Sequence, residues 1–126
     1  MNHLDEIKRR DPIVQHPEFG TTQTDFENMT SEVFYGIDGF GRRYSRAQAI
    51  TTALAMYEDP KYQGIHSWPE NTWEIGKLEW QKVANNKILV TYLLLTRNNQ
   101  ARRTSLWHIA GKHWRIMFHQ ATPVQP

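Results

Sequence analysis

The stretch from Trp73 onward limits the fold more than any other feature of the sequence. Runs of alternating apolar and polar residues are separated there by short turn signals: Trp73–Val83, Asn85-Asn86, Lys87–Arg97, Asn98-Asn99, Gln100–Ile109, Ala110-Gly111 and Lys112–Thr122. Period-two alternation sends successive side chains to opposite faces of a strand, and Asn-Asn or Ala-Gly supplies the backbone freedom that tight hairpins need. The tract predicts a four-stranded antiparallel meander.

Upstream, the signals change to helical ones. Residues 1–10 predict a short helix with Leu4 and Ile7 on one side, ended by Asp11-Pro12, and residues 12–20 predict a loop. Thr24-Asp25-Phe26-Glu27 reads as a capping box that opens a second helix. Val33–Ile37 and Arg42–Tyr44 read as a small hairpin around Asp38-Gly39. Ser45-Arg46-Ala47-Gln48 is a second capping box, followed by Ala47, Ile50, Leu54 and Tyr57 at helical spacing up to Asp59-Pro60. Residues 61–72, with Tyr62 and Trp68, form a long connection of the kind that often serves as a lid or partner contact. Three helical segments on an antiparallel sheet make an α+β domain, and 126 residues suffice for one such domain, 1–126, with its own core.

Composition then removes several function classes. The chain has no cysteine, which excludes disulfides, thiolate zinc sites and a cysteine nucleophile. No run approaches the roughly 20 apolar residues of a membrane span and residues 1–10 lack a signal-peptide core, so a cytoplasmic protein without a membrane role is expected. Charge is unevenly spread. Residues 1–79 hold eight basic and all 13 acidic side chains, whereas residues 80–126 hold seven basic and none acidic. Lys82, Lys87, Arg97, Arg102, Arg103, Lys112 and Arg115 alternate over both sheet faces instead of gathering in a stripe, so no nucleic-acid partner is expected.

Two-residue hairpin loops would set Glu79 opposite Tyr92, Tyr92 opposite Ser105 and Trp107 opposite Trp114. One face then collects Ile75, Ile88, Val90, Tyr92, Leu94, Trp107, Trp114, Ile116 and Phe118, together with the polar Glu79, Gln81, Arg103, Ser105 and Gln120. The other collects Leu78, Trp80, Leu89, Leu93, Leu95, Leu106 and Met117, with His108, His113, Arg115 and His119. The first face is the greasier and is assigned to the helices. The second is too apolar to face water comfortably, which predicts a sheet-to-sheet homodimer.

The order of short helices, long helix and meander, with Phe26 after Asp25, resembles the nuclear transport factor 2-like superfamily and its bacterial SnoaL-like branch of small proteins. The resemblance is carried by Gly41-Arg42-Arg43-Tyr44-Ser45-Arg46, Arg103-Thr104-Ser105-Leu106-Trp107, Gly111-Lys112-His113-Trp114-Arg115-Ile116 and Phe118-His119-Gln120-Ala121-Thr122. It implies a cone-shaped domain with one pocket between helices and concave sheet, commonly dimeric. It implies no single activity, because the superfamily spans isomerases, dehydratases, cyclases, transport domains and immunity proteins. No isomerase or dehydratase constellation maps residue by residue.

The candidate ligand-binding residues are Tyr92, Arg103, Ser105, Trp107 and Gln120, polar groups on an apolar lining. Arg103 would hold an anionic or carbonyl oxygen. Glu79 and His119 are the catalytic candidates, Glu79 as a base and His119 as an imidazole that titrates near neutrality, although alternation puts His119 on the face opposite Phe118. The same groups also fit a satisfied internal network. His108 and His113 pair across strands, but no carboxylate completes a metal site, so neither a metal nor a cofactor is expected. Two readings follow: a small-molecule-binding protein that extends to cofactor-free proton transfer on an apolar carbonyl compound, or a protein-binding accessory or immunity-type factor.

Overall fold

Residues 3–10, 20–58, 73–96 and 99–124 are described in the structure, a computed structural model. Nine elements follow in order: α1 (His3–Arg10), α2 (Gln23–Met29), β1 (Thr30–Ile37), β2 (Arg43–Ser45), α3 (Arg46–Glu58), β3 (Trp73–Ala84), β4 (Lys87–Thr96), β5 (Gln100–Ala110) and β6 (His113–Pro123). The expected α+β architecture is present. The connection 61–72 and most of the loop 12–20 lie outside the described residues.

The sheet is larger than a four-stranded meander. Its order is β2-β1-β6-β5-β4-β3, because the upstream hairpin joins the meander through a parallel pairing of β1 with β6. Helix starts are fixed by local hydrogen bonds. In α3 the expected box forms: the Gln48 amide donates to Ser45 Oγ at 3.1 Å, and the Ser45 amide donates to Gln48 Oε1 at 2.8 Å. In α2 the box sits two residues earlier than expected. Thr22, not Thr24, is the N-cap, paired with Asp25, whose carboxylate accepts from the Thr22 amide in place of a glutamate's.

The face rich in large apolar groups packs under the helices. Ile88, Val90, Tyr92, Trp107, Trp114 and Ile116 form one core with Ile7 of α1 and Phe34 of β1, and the Trp107 and Trp114 rings meet edge-on at 6.0 Å. Burying each such side chain contributes about 1.5–3 kcal/mol. A second cluster, Phe26, Ile50 and Ala53, seals α2 against α3.

Register accounts for every departure from the expected faces. Tyr92 lies opposite Arg103 instead of Ser105, and Trp107 opposite Ile116 instead of Trp114. Both slips are of two residues, so the side chains keep their faces. Slips of one do not. Between Gly76 and Glu79 the β3–β4 ladder shifts by one, with Lys77 at φ 51°, and Glu79 ends opposite Thr91 instead of Tyr92. Glu79 is therefore exposed on the face turned from the helices, while Leu78 packs against the main core. In β6, Trp107 pairs with Ile116 but Leu106 pairs with Phe118, which leaves Met117 as an extra residue. Beyond it the faces exchange. Phe118 and Gln120 turn outward, opposite Leu106 and Thr104, and His119 turns inward opposite Ser105.

Candidate functional site

Four polar or aromatic side chains converge where β2, β1, β6 and β5 run side by side. In β1, Gly36 lies opposite Tyr44 of β2, and any side chain at Gly36 would overlap the Tyr44 ring. A glycine in mid-strand thus lets the ring lie flat across its neighbour. Tyr44 packs against Phe34 at 6.2 Å. The turn between the strands is held by Asp38: Oδ1 accepts from the amides of Phe40 at 2.9 Å and Arg42 at 3.0 Å, and Oδ2 accepts from Arg42 Nε at 3.0 Å. Those bonds, the Arg42 amide first, hold the Asp38 carboxyl below the usual carboxylate range.

The centre of the site is a chain of three side chains on β5 and β6. Arg103 donates to His119 Nε2 from Nε at 3.0 Å and from Nη2 at 2.7 Å. Ser105 Oγ lies 3.0 Å from His119 Nδ1. An arginine only donates, so Nε2 must accept and the imidazole proton sits on Nδ1, directed at Ser105. Ser105 is fully buried and His119 is 9 % exposed. Burial, aided by the Arg103 charge, holds the His119 pKa well below the ordinary imidazole value, so the ring is neutral at pH 7. Arg103 itself is half-buried, and among the described residues no carboxylate pairs with it. Burial raises the Tyr44 hydroxyl above the ordinary phenol value, with the nearby Arg103 charge opposing the rise.

These groups open into a cavity of about 470 Å³ between the sheet and α3. Arg103, His119 and Tyr44 supply polarity; Phe34, Ala49, Ala53, Met56 and Ile116 supply an apolar wall; Asp38, Arg42, Gln48 and Thr52 complete the lining.

Of the residues expected at a site, the structure brings together Arg103, Ser105 and His119. Tyr92 and Trp107 are 1 % exposed within the main core and do not line the cavity. Gln120 stands on the outer side beside Ile37, and Glu79 borders a shallow depression with Trp80, Gln81, Leu89 and Thr91. Both are corrections caused by the one-residue shifts in β6 and β3. His119 is a third, having been expected on the histidine-bearing face. Sequence reasoning missed Phe34, Tyr44 and Met56. The one available signal was Gly36, a glycine inside an otherwise strand-like run. Among the described residues, no three His, Asp or Glu side chains gather as metal ligands, and no helix is long and apolar enough to cross a membrane.

No protein-family model matches the sequence, and no curated protein matches it. Solved structures do. A nuclear transport factor 2-like protein from Cytophaga hutchinsonii aligns over 98% of this chain and 100% of its own with TM-score 0.63 at 11% identity. A nuclear transport factor 2-like protein of unknown function in nutrient uptake, from Rhodospirillum rubrum, covers 98% and 100% with TM-score 0.67 at 8% identity. The kinase hub homology domain of Chlamydomonas reinhardtii covers 99% and 100% with TM-score 0.70 at 13% identity. The chain thus has the nuclear transport factor 2-like fold implied by its sequence motifs.

Proposed function

We propose that this protein binds a small apolar molecule in the cavity between α3 and the sheet and holds a carbonyl or anionic oxygen of that molecule with Arg103. The observation that carries the reading is a half-buried arginine, unpaired with any described carboxylate, at the polar end of a cavity whose wall is apolar. Such an arrangement is the usual chemistry of a small-molecule site, in which a few polar groups orient a ligand held by an apolar lining. The reading is one of binding and not of proton transfer. Both nitrogens of His119 are already engaged, Asp38 is committed to Arg42 and its own turn, and Glu79 is on the far side of the sheet.

The test is a thermal-shift screen of apolar ketones, aldehydes and carboxylates against the wild type and Arg103→Gln. A ligand that binds only the folded state raises its apparent stability by mass action. Compounds that shift the wild type and lose that shift in the variant support the reading. Shifts of equal size in both proteins overturn it, as does a panel that gives none.

A second reading concerns assembly. Leu89, Leu95, Leu106 and Phe118 are half-buried on the face turned from the helices, and Phe118 meets Tyr35 there at 5.1 Å. Homodimerisation through this face would cover them, and the likeness to a kinase hub homology domain supports it. A monomer mass by light scattering at micromolar concentration would count against it.

A further inference from the structure

The lining of the cavity permits a charge count. Arg42 is matched by Asp38 through a 3.0 Å ion pair, Tyr44 keeps its proton, and α3 contributes only Gln48, Ala49, Thr52, Ala53 and Met56. His119, faced by Arg103 and Ser105 from β5 and sharing the cavity with Tyr44, Asp38 and Arg42, is neutral. Among the described residues, the formal charge of the site is therefore that of Arg103 alone. The geometry of Arg103 is equally restricted. Two of its N–H groups end on a single acceptor, Nε2 of His119, while Nδ1 of that ring is tied to Ser105. A guanidinium has five N–H groups in a rigid planar fork, so fixing the Nε and Nη2 edge fixes where the rest point.

We propose that this site selects a singly charged carboxylate on an apolar body, and that His119 is the positioning residue that sets this selectivity by holding the Arg103 fork through Nε2. The proposal rests on the ligand-binding reading above and names its ligand class. A neutral oxygen loses the charge assistance of the guanidinium, and a dianion brings a second negative charge into an apolar wall where no further described cation is free to match it. Had the imidazole been charged, Nε2 would carry a proton and repel Arg103 instead of accepting from it.

The experiment compares three probes of one shape class, 4-phenylbutyrate, 4-phenylbutyramide and 2-benzylsuccinate, by calorimetric titration at pH 7.5. The wild type is expected to bind the monocarboxylate about tenfold to a hundredfold more tightly than the amide or the dianion. A glutamine carbonyl can reach the place of Nε2, whereas an asparagine reaches only that of Nδ1. His119→Gln is therefore expected to keep the carboxylate preference within about threefold, and His119→Asn to lose about tenfold of it with amide binding unchanged. A general loosening of the fold would weaken both probes together, and circular dichroism confirms that each variant is folded. Preference retained in His119→Asn but abolished in Arg103→Gln overturns the positioning role and leaves the ligand reading standing. Tighter binding of 2-benzylsuccinate overturns the single-charge rule. If none of the three probes binds the wild type, the carboxylate class is overturned, and the ligand reading then depends on the screen described above.

Discussion

Strands β3 and β6 each slip by one residue just before a titratable side chain, with opposite results. In β3 the shift near Lys77 takes a carboxylate, Glu79, away from the helices and into solvent. In β6 the shift at Met117 takes an imidazole, His119, out of the outer face and into the cavity. The chemistry of the inner face thus depends less on which polar residues a strand contains than on where its ladder slips. A carboxylate brought inward would have met no positive partner on β4, since Tyr92 and Val90 line that ladder; the imidazole meets Arg103 and Ser105.

The strongest way to break this contrast is to insert an alanine between Phe118 and His119. Alternation resumed past the insertion would turn His119 out and Gln120 in, leaving Arg103 without its imidazole acceptor. We expect a loss of roughly 3–5 kcal/mol in urea-unfolding stability, from a half-buried cation stripped of its acceptor and a one-residue offset along the rest of the β5–β6 ladder. A loss under about 1 kcal/mol would mean that the phase of alternation in β6 does not orient His119. Gly36→Ala comes next. Its methyl group must displace the Tyr44 ring, and overpacking of that kind costs roughly 1–3 kcal/mol, read as a lower Tm with the unfolding slope unchanged.

Acid should distinguish the two strands more gently. His119 resists protonation when folded but takes a proton near pH 6.5 when unfolded, so below that pH the unfolded state binds more protons and stability falls. The expected slope is about 1 kcal/mol per pH unit from pH 6.5 downward, until the folded ring itself titrates. His119→Gln should remove this component from a pH series of urea melts; an unchanged slope would refute the neutral buried ring. The smallest effect belongs to Glu79→Gln, which should leave stability within about 0.5 kcal/mol and ligand shifts unaltered.

Much of this was legible in the sequence, and for physical reasons. Period-two alternation placed Tyr92, Trp107, Trp114 and Ile116 in the core and Arg103 and Ser105 on the same side, because hairpin slips of two residues preserve faces. Ser45 and Gln48 announced the start of α3 through side chains that bond locally. The one-residue slip in β6 gave no such notice, and that in β3 was marked only by Gly76 at its edge. Neither Lys77 nor Met117 is a glycine, and a bulge is decided by packing across strands. The parallel pairing of β1 with β6 was equally hidden, since it joins residues far apart in the chain and leaves no local pattern. With it went Tyr44 and Phe34, which reach the cavity only because β1 lies beside β6.

That same pairing sets an order of assembly. The β1–β2 hairpin and the β3–β5 ribbon are connected within the sheet through β6 alone. A nascent chain that has not yet released residues 113–123 from the ribosome therefore holds two disconnected ribbons with greasy faces exposed. Because non-local pairs pay their loop-closure entropy before they gain contacts, closure of the sheet should be the late, slow step in the maturation of this protein.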